Sequence, residues 1–138
     1  LLVGVQRGMV CFMADLMREI TLPVEVEFMA ISRYGSDNQS SVSITKDLEL
    51  DISGRDVILV EDIVDTALTI RYLEGYLRRK GAASIKLCTL LSKPSRRQVE
   101  ATIDYLGFEI PDRFVVGYGL DYDQRYRYLP DVCVLEEA

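Results

Sequence analysis

Histidine is absent from all 138 residues. That gap removes Ser-His and Cys-His nucleophile pairs and His-ligated zinc, and leaves carboxylates as the leading general bases. Cysteine is sparse: Cys11, Cys88 and Cys133 are odd in number, far apart and set among apolar neighbours. Such thiols suit a core better than a disulfide framework or a metal knuckle, so all three are expected to be buried. Apolar runs are short, as at residues 1–5 and 57–60, far below the roughly 20 residues that cross a bilayer. No membrane partner is expected. Residues 1–5 also lack the charged flank and small-residue cleavage site of a secretion signal, and the expected location is cytoplasmic.

Positive charge is in deficit, with 16 Lys and Arg against 22 Asp and Glu and a net charge of −6. That is a poor footprint for nucleic acid, which is not expected as a partner; a small anionic ligand needs only local positive charge. An apolar fraction of 49% and a charged fraction of 28% are those of an ordinary globular protein. The length fits one domain, 1–138. Because the chain opens directly in an apolar run without a turn or cap, some upstream residues are expected to be missing.

Residues 1–5 read as a buried strand. Apolar residues at 9, 12, 13, 16, 17 and 20 predict a helix over 9–20, and Pro23 separates it from a strand at 24–31. Residues 32–43 (SRYGSDNQSSVS) are polar and aperiodic, as in a long loop that serves as a lid. A β excursion over 42–50 precedes a turn at Ser53-Gly54, and 57–60 (VILV) is a central parallel strand. Residues 70, 73 and 77 with a stop at Gly81 predict a helix over 69–80, followed by strands at 85–91, 114–118 and 132–135. The alternation predicts an α/β domain with a mostly parallel central sheet flanked by helices.

The segment VEDIVDTALT, residues 60–69, carries the chemistry. It sets Glu61, Asp62 and Asp65 with Thr66 and Thr69 at the carboxyl end of a parallel strand, the edge where open α/β sheets bind ligands. The free N–H groups of the helix that follows form an anion site. Adjacent Glu61 and Asp62 repel unless they are solvated or share a cation, and such hard oxygens suit Mg²⁺. On these grounds alone a plainer reading stays open, in which Asp65 and Thr66 cap the helix and Glu61 and Asp62 sit in a solvated loop.

VEDIVDTALT resembles the phosphoribosyl pyrophosphate signature of the hypoxanthine-guanine phosphoribosyltransferases, two acidic residues followed by an Asp-Thr-Gly-x-Thr loop. Residues 1–8 resemble that family's pyrophosphate-loop strand, 91–97 (LSKPSRR) its purine-contacting lysine segment, and 104–129 its hood. Taken singly, Phe114 reads as core, Lys93 as a solvated loop residue and Arg127 as a surface charge. Four separated motifs in family order outweigh those readings.

The resemblance implies a type I phosphoribosyltransferase-like fold with a small hood. It also implies transfer of the 5-phosphoribosyl group from phosphoribosyl pyrophosphate to hypoxanthine or guanine, with Mg²⁺ as cofactor and a homodimer or homotetramer as the assembly. By that resemblance Glu61 and Asp62 hold the ribose hydroxyls and Mg²⁺, and Asp121 holds a second Mg²⁺. Asp65 takes or positions the purine N7 proton, while Thr66, Ala67, Leu68 and Thr69 bind the 5′-phosphate. Lys93 donates to the purine O6, Phe114 stacks on the base and the Val115 backbone reads its Watson–Crick edge. Arg7, Gly8 and Arg127 face pyrophosphate, and Tyr34 closes with the lid. The alternative is a non-catalytic regulator of the same fold that senses nucleotides or binds RNA.

Three positions depart from the family pattern. Gln6-Arg7-Gly8 stands where Leu-Lys-Gly is usual, at a site that often carries a non-proline cis peptide. Ala67 replaces the phosphate-loop glycine, which is harmless at negative φ and costly in the left-handed region. Arg33 stands where serine is commoner.

Overall fold

The near-continuous apolar runs become the inner strands of one sheet. They are β1 (Leu2–Gln6), β4 (Asp56–Val64) and β5 (Ser84–Ser92), joined by β2 (Val26–Tyr34), β3 (Ser41–Lys46) and β6 (Tyr105–Glu109). The order is β3-β2-β1-β4-β5-β6, in a computed structural model that describes residues 1–34 and 41–136. All neighbours pair in parallel except β2 with β3.

Two helices, α1 (Val10–Glu19) and α2 (Leu68–Arg79), cover the sheet. Side chains alternate along a strand, so Leu2 and Val60 face one way while Val3 and Leu59 face the other. Met9 and Met13 pack with Leu2 and Val60. Ile70, Leu73 and Leu77 of α2 pack with Val3, Leu59 and Leu87 on the opposite side. From β1 the chain crosses by α1 to β2, and from β4 it crosses by α2 to β5, so the winding reverses between β1 and β4. That reversal is where open α/β sheets bind ligands.

Five expectations are corrected. The 32–43 segment is not one loop: β2 runs to Tyr34 and pairs antiparallel with β3, Tyr34 opposite Ser41. Serine and arginine remain in strand there because an edge pair needs no apolar face on both sides, and 41–46 alternates between exposed and half-buried positions. The lid's tip, residues 35–40, and the side chain of Tyr34 lie outside the described residues. The strand expected at 57–60 extends to Val64 because Ile63 and Val64 pair with Leu91 and Ser92. That places Glu61 and Asp62 on the strand itself rather than in a loop.

The segment read as hood begins inside the main sheet, since Tyr105–Glu109 is its sixth strand. The strands expected at 114–118 and 132–135 shrink to β7 (Val115–Val116) and β8 (Cys133–Val134), which pair antiparallel in a separate ribbon. Of the cysteines only Cys88 is buried; Cys11 is half-buried and Cys133 exposed on that ribbon. No helix among the described residues is long and apolar enough to cross a membrane.

Gly107 on β6 shows how closely the edge strand is seated, since a Cβ there would meet the Leu90 carbonyl oxygen at 2.4 Å. Neither backbone can yield without losing ladder hydrogen bonds. Gly107→Ala should therefore destabilise the fold by about 1–3 kcal/mol, read as a lower urea midpoint at unchanged slope; an unaltered midpoint would show that β6 docks loosely.

Candidate active site

Pairing between β1 and β4 ends at Gly4 and Val60. Beyond it β1 turns into Arg7-Gly8 through a cis Gln6–Arg7 peptide bond, while β4 continues to Val64 beside β5. The two strands part around a cavity of about 360 Å³. Its wall brings together Arg7, Gly8, Glu61, Asp62, Asp65, Thr66, Ala67, Thr69, Asp121 and Arg127 from the expected set, and adds Arg33. Leu68, Lys93, Phe114 and Val115 are not among its lining residues.

Glu61 is buried. Loss of water pushes its carboxyl well above the usual range, and the neighbouring Asp62 raises it further by charge and by a shared hydrogen bond, while Arg33 pulls the other way. Asp62 is also raised by burial, opposed by the N–H of Ile63, which donates to Oδ1 at 2.7 Å, and by Arg127. Two carboxyls so placed oppose each other's ionisation, and a cation between them would relieve that cost. Gly8 lies against this pair: a Cβ on it would sit 1.8 Å from Asp62 Oδ2. The glycine is required by that close approach.

The turn after β4 is built to leave helix N–H groups open. Ala67 is the N-cap of α2 at φ 71°, with no side-chain cap hydrogen bond. Asp65 therefore does not cap the helix, and Thr66 offers Leu68 N–H only a long contact of 3.4 Å. The left-handed backbone at a residue with a Cβ costs about 1–2 kcal/mol, the unfavourable branch of the glycine replacement. Arg97 braces the turn, donating to the carbonyls of Val64 at 3.0 Å and Asp65 at 2.7 Å and to Ser92 Oγ at 2.6 Å. Arg33 reaches across from β2 and donates to Thr69 Oγ1. The sequence marked Arg33 only as a departure, and gave Arg97 no role; the Lys-Pro-Ser-Arg-Arg string was the available signal.

The residues expected at the base lie beside the cavity. Lys93 is 7% exposed and its backbone N–H donates to Val64 O at 2.9 Å, so it is no solvated loop residue. Its Nζ lies 3.9 Å from Asp112, two residues before Phe114. Phe114 is 52% exposed, hence not core, and meets Tyr122 edge-to-face at 5.7 Å between centroids. Asp65 Oδ1 accepts from Arg96 Nε at 2.8 Å, and Arg96 also approaches Asp112 at 3.8 Å. An alternating chain of charges, Asp65–Arg96–Asp112–Lys93, thus ties the two segments together. Asp121 pairs with Arg127 at 3.4 Å. The cations that balance Asp65 and Asp112 come from the 93–96 segment, whereas Asp121 is balanced from within the hood.

The donor set suits a hard divalent cation. Among the described residues no group of three or more His, Cys, Asp or Glu side chains is close enough to form a cage. A buried Glu61 and a half-buried Asp62 beside an open cavity instead match Mg²⁺, which keeps waters and substrate oxygens among its ligands.

The fold and this site define a sugar-phosphate transferase, and the chain belongs to the family described as the phosphoribosyl transferase domain, whose model matches residues 1–123. Its relatives are more particular. The chain is 52% identical to the hypoxanthine phosphoribosyltransferase of Haemophilus influenzae, over 98% of this chain and 78% of that protein. It is 49% identical to the hypoxanthine-guanine phosphoribosyltransferase of Bacillus subtilis, over 100% and 78%. Among solved structures, a Bacillus anthracis hypoxanthine-guanine phosphoribosyltransferase superposes with a TM-score of 0.94 at 40% identity, covering 98% of this chain and 81% of that one. The fold is accordingly the type I phosphoribosyltransferase fold.

The buried carboxyl pair sets a pH dependence. Glu61 binds its proton more tightly in the folded chain than in the unfolded one, so stability falls as pH rises through the raised value, and none of the penalty remains below the ordinary 4.5. In chelator, Glu61→Gln should melt a few degrees higher than the parent at pH 8, and the gain should vanish near pH 4.5. Equal melting at both pH values would show that the pair carries no charge burden.

Proposed function

We infer that this chain transfers the 5-phosphoribosyl group from phosphoribosyl pyrophosphate to hypoxanthine or guanine, releasing pyrophosphate. The observation that carries the reading is the convergence, at the reversal between β1 and β4, of an open helix N-terminus, the adjacent carboxyls of Glu61 and Asp62 and the guanidiniums of Arg7 and Arg127. The similarity to proteins named for this reaction supports it over nearly the whole chain.

The proposed roles follow the chemistry of displacement at the ribose C1, where the bond to pyrophosphate breaks as the bond to the purine nitrogen forms. The first-turn N–H groups of α2 with Thr66 and Thr69 hold the 5′-phosphate, joined by the Ala67 and Leu68 backbone. Glu61 and Asp62 face the ribose hydroxyls and would hold Mg²⁺, with Asp121 as ligand to a second ion. The metal supplies charge neutralisation on the leaving group. Arg7 and Arg127 stabilise the negative charge that pyrophosphate gains, with Gly8 admitting it closely. Lys93, Phe114 and the Val115 backbone receive the base, and Asp65 accepts or steers its N7 proton. Tyr34 is assigned to closure over the reacting centre, which keeps water from the activated sugar.

The cavity wall holds four carboxylates against three guanidiniums. That balance suits a metal–pyrophosphate substrate and argues against a polyanion such as RNA. Residence in the cytoplasm and assembly as a homodimer or homotetramer belong to the same proposal; α1 leaves Val10 and Met17 exposed, as a self-association face would.

The deciding experiment is a purine panel with phosphoribosyl pyrophosphate and Mg²⁺, following nucleotide formation. Hypoxanthine or guanine should be converted, and a chain that converts no purine would overturn the reading. Excess chelator should abolish turnover; full activity in it would remove the metal from Glu61 and Asp62. Asp65→Asn preserves shape and the ability to hydrogen-bond Arg97 through its backbone but cannot take a proton. It should lower kcat by about 10²- to 10⁴-fold while nucleoside monophosphate still binds. An unchanged kcat would exclude Asp65 as the base.

A further inference from the structure

The two arginines on the pyrophosphate side come from opposite parts of the fold, Arg7 after β1 and Arg127 in the hood. Like charges brought to one wall repel unless something between them accepts hydrogen bonds. That group is Gln124. Its Oε1 accepts from Arg7 Nη1 at 3.3 Å and from Arg127 Nη2 at 3.1 Å. Arg127 is fixed further by the Gly119 carbonyl at 2.7 Å and by Asp121.

The backbone under Gln124 is held for the purpose. Tyr122 and Arg125 exchange both N–H···O bonds, each at 3.0 Å, closing a two-residue turn. Its central residues, Asp123 and Gln124, have φ of 52° and 64°. A turn with both central residues left-handed favours Asn-Gly or Asp-Gly. Asp123 fits that pattern and Gln124 does not: glycine would relieve the backbone. Asp121 Oδ2 accepts the Gln124 N–H at 2.8 Å, so the turn is tied to the acid that also pairs with Arg127. A local rule broken beside a binding cavity points to a side chain kept for its function.

We propose that Gln124 is a positioning residue for the leaving group, its side-chain carbonyl setting the two guanidiniums at the spacing that receives pyrophosphate. The proposal rests on the transferase reading above. Gln124→Gly keeps the turn and relaxes it, and Gln124→Asn tolerates the left-handed backbone but is one methylene too short to reach both arginines. Both variants should raise KM for phosphoribosyl pyrophosphate in the forward direction and for pyrophosphate in the reverse by about three- to tenfold, the loss of one net hydrogen bond. KM for the purine should not move, and Gln124→Gly should melt no lower than the parent. Unchanged KM for both pyrophosphate-bearing substrates would overturn the proposal, as would an equal rise for every substrate, which marks a merely structural turn. Calorimetric titration with magnesium pyrophosphate separates this from failure of the transferase reading. A parent that makes no nucleotide yet binds pyrophosphate more tightly than Gln124→Gly would keep the role of Gln124, and equal binding would end it.

Discussion

A parallel strand that carries two adjacent acids into a buried end sets a constraint that much of this structure answers. Glu61 and Asp62 lie where β4 has lost β1 as a neighbour but keeps β5, so they are held rigidly by backbone pairing while facing a cavity. Burial raises both carboxyls, and the groups that approach them each limit that cost. Arg33 and Arg127 lower the charge burden from either side, and Gly8 lets the opposite strand end come close without displacing Asp62. A chain selected for stability alone would place apolar residues there. Acids kept at such a position fit the proposed role in holding a cationic ligand, the usual exchange of stability for activity.

Strained backbone follows the same boundary. Ala67, at the turn into α2, lies in the left-handed region, and Tyr118, Asp123, Gln124 and Tyr126 adopt it in the hood. Outside these two segments the described positive-φ residues are glycines. The hood is also secured at its far end, where the Tyr118 hydroxyl donates to Asp15 of α1 and its own ionisation is pushed up to about 12 by burial and that acid. One small ribbon with little core of its own is therefore fixed by side-chain contacts to α1 and to the loop after β1, which lets it present Arg127 and Phe114 at defined places.

The sequence was legible where one physical signal dominated. Continuous apolar runs marked β1, β4 and β5, and 3.6-residue spacing marked both helices, because burial on two faces or on one stripe leaves a clear pattern. It failed at edges. β6, with every residue exposed, has no burial pattern to read, and the extension of β2 through Ser-Arg-Tyr depends on β3 pairing with it. The end of β4 misled for a related reason: two acids look like a loop until the paired residues of β5 are known. At the site, contiguous residues 61–69 were readable as a ligand turn, whereas the contacts of Arg33 with Thr69, of Arg96 and Arg97 with Asp65, and of Gln124 with Arg7 span 31 to 117 positions. Spacing in sequence carries no trace of those.

That difference separates two kinds of functional residue. Most of the cavity-lining groups proposed to meet the ligand sit on the ends of β1, β4 and α2, where the fold's winding reverses and geometry is set by strand pairing. Groups that hold them, Arg97 behind the Asp65 turn and Gln124 between the arginines, sit on segments without regular structure and act through a few side-chain hydrogen bonds. The first kind can be moved only by disturbing the sheet. The second can be altered one residue at a time with the sheet intact, so changes in how tightly the substrate is held are expected to arise in the second set while the chemistry stays with the first.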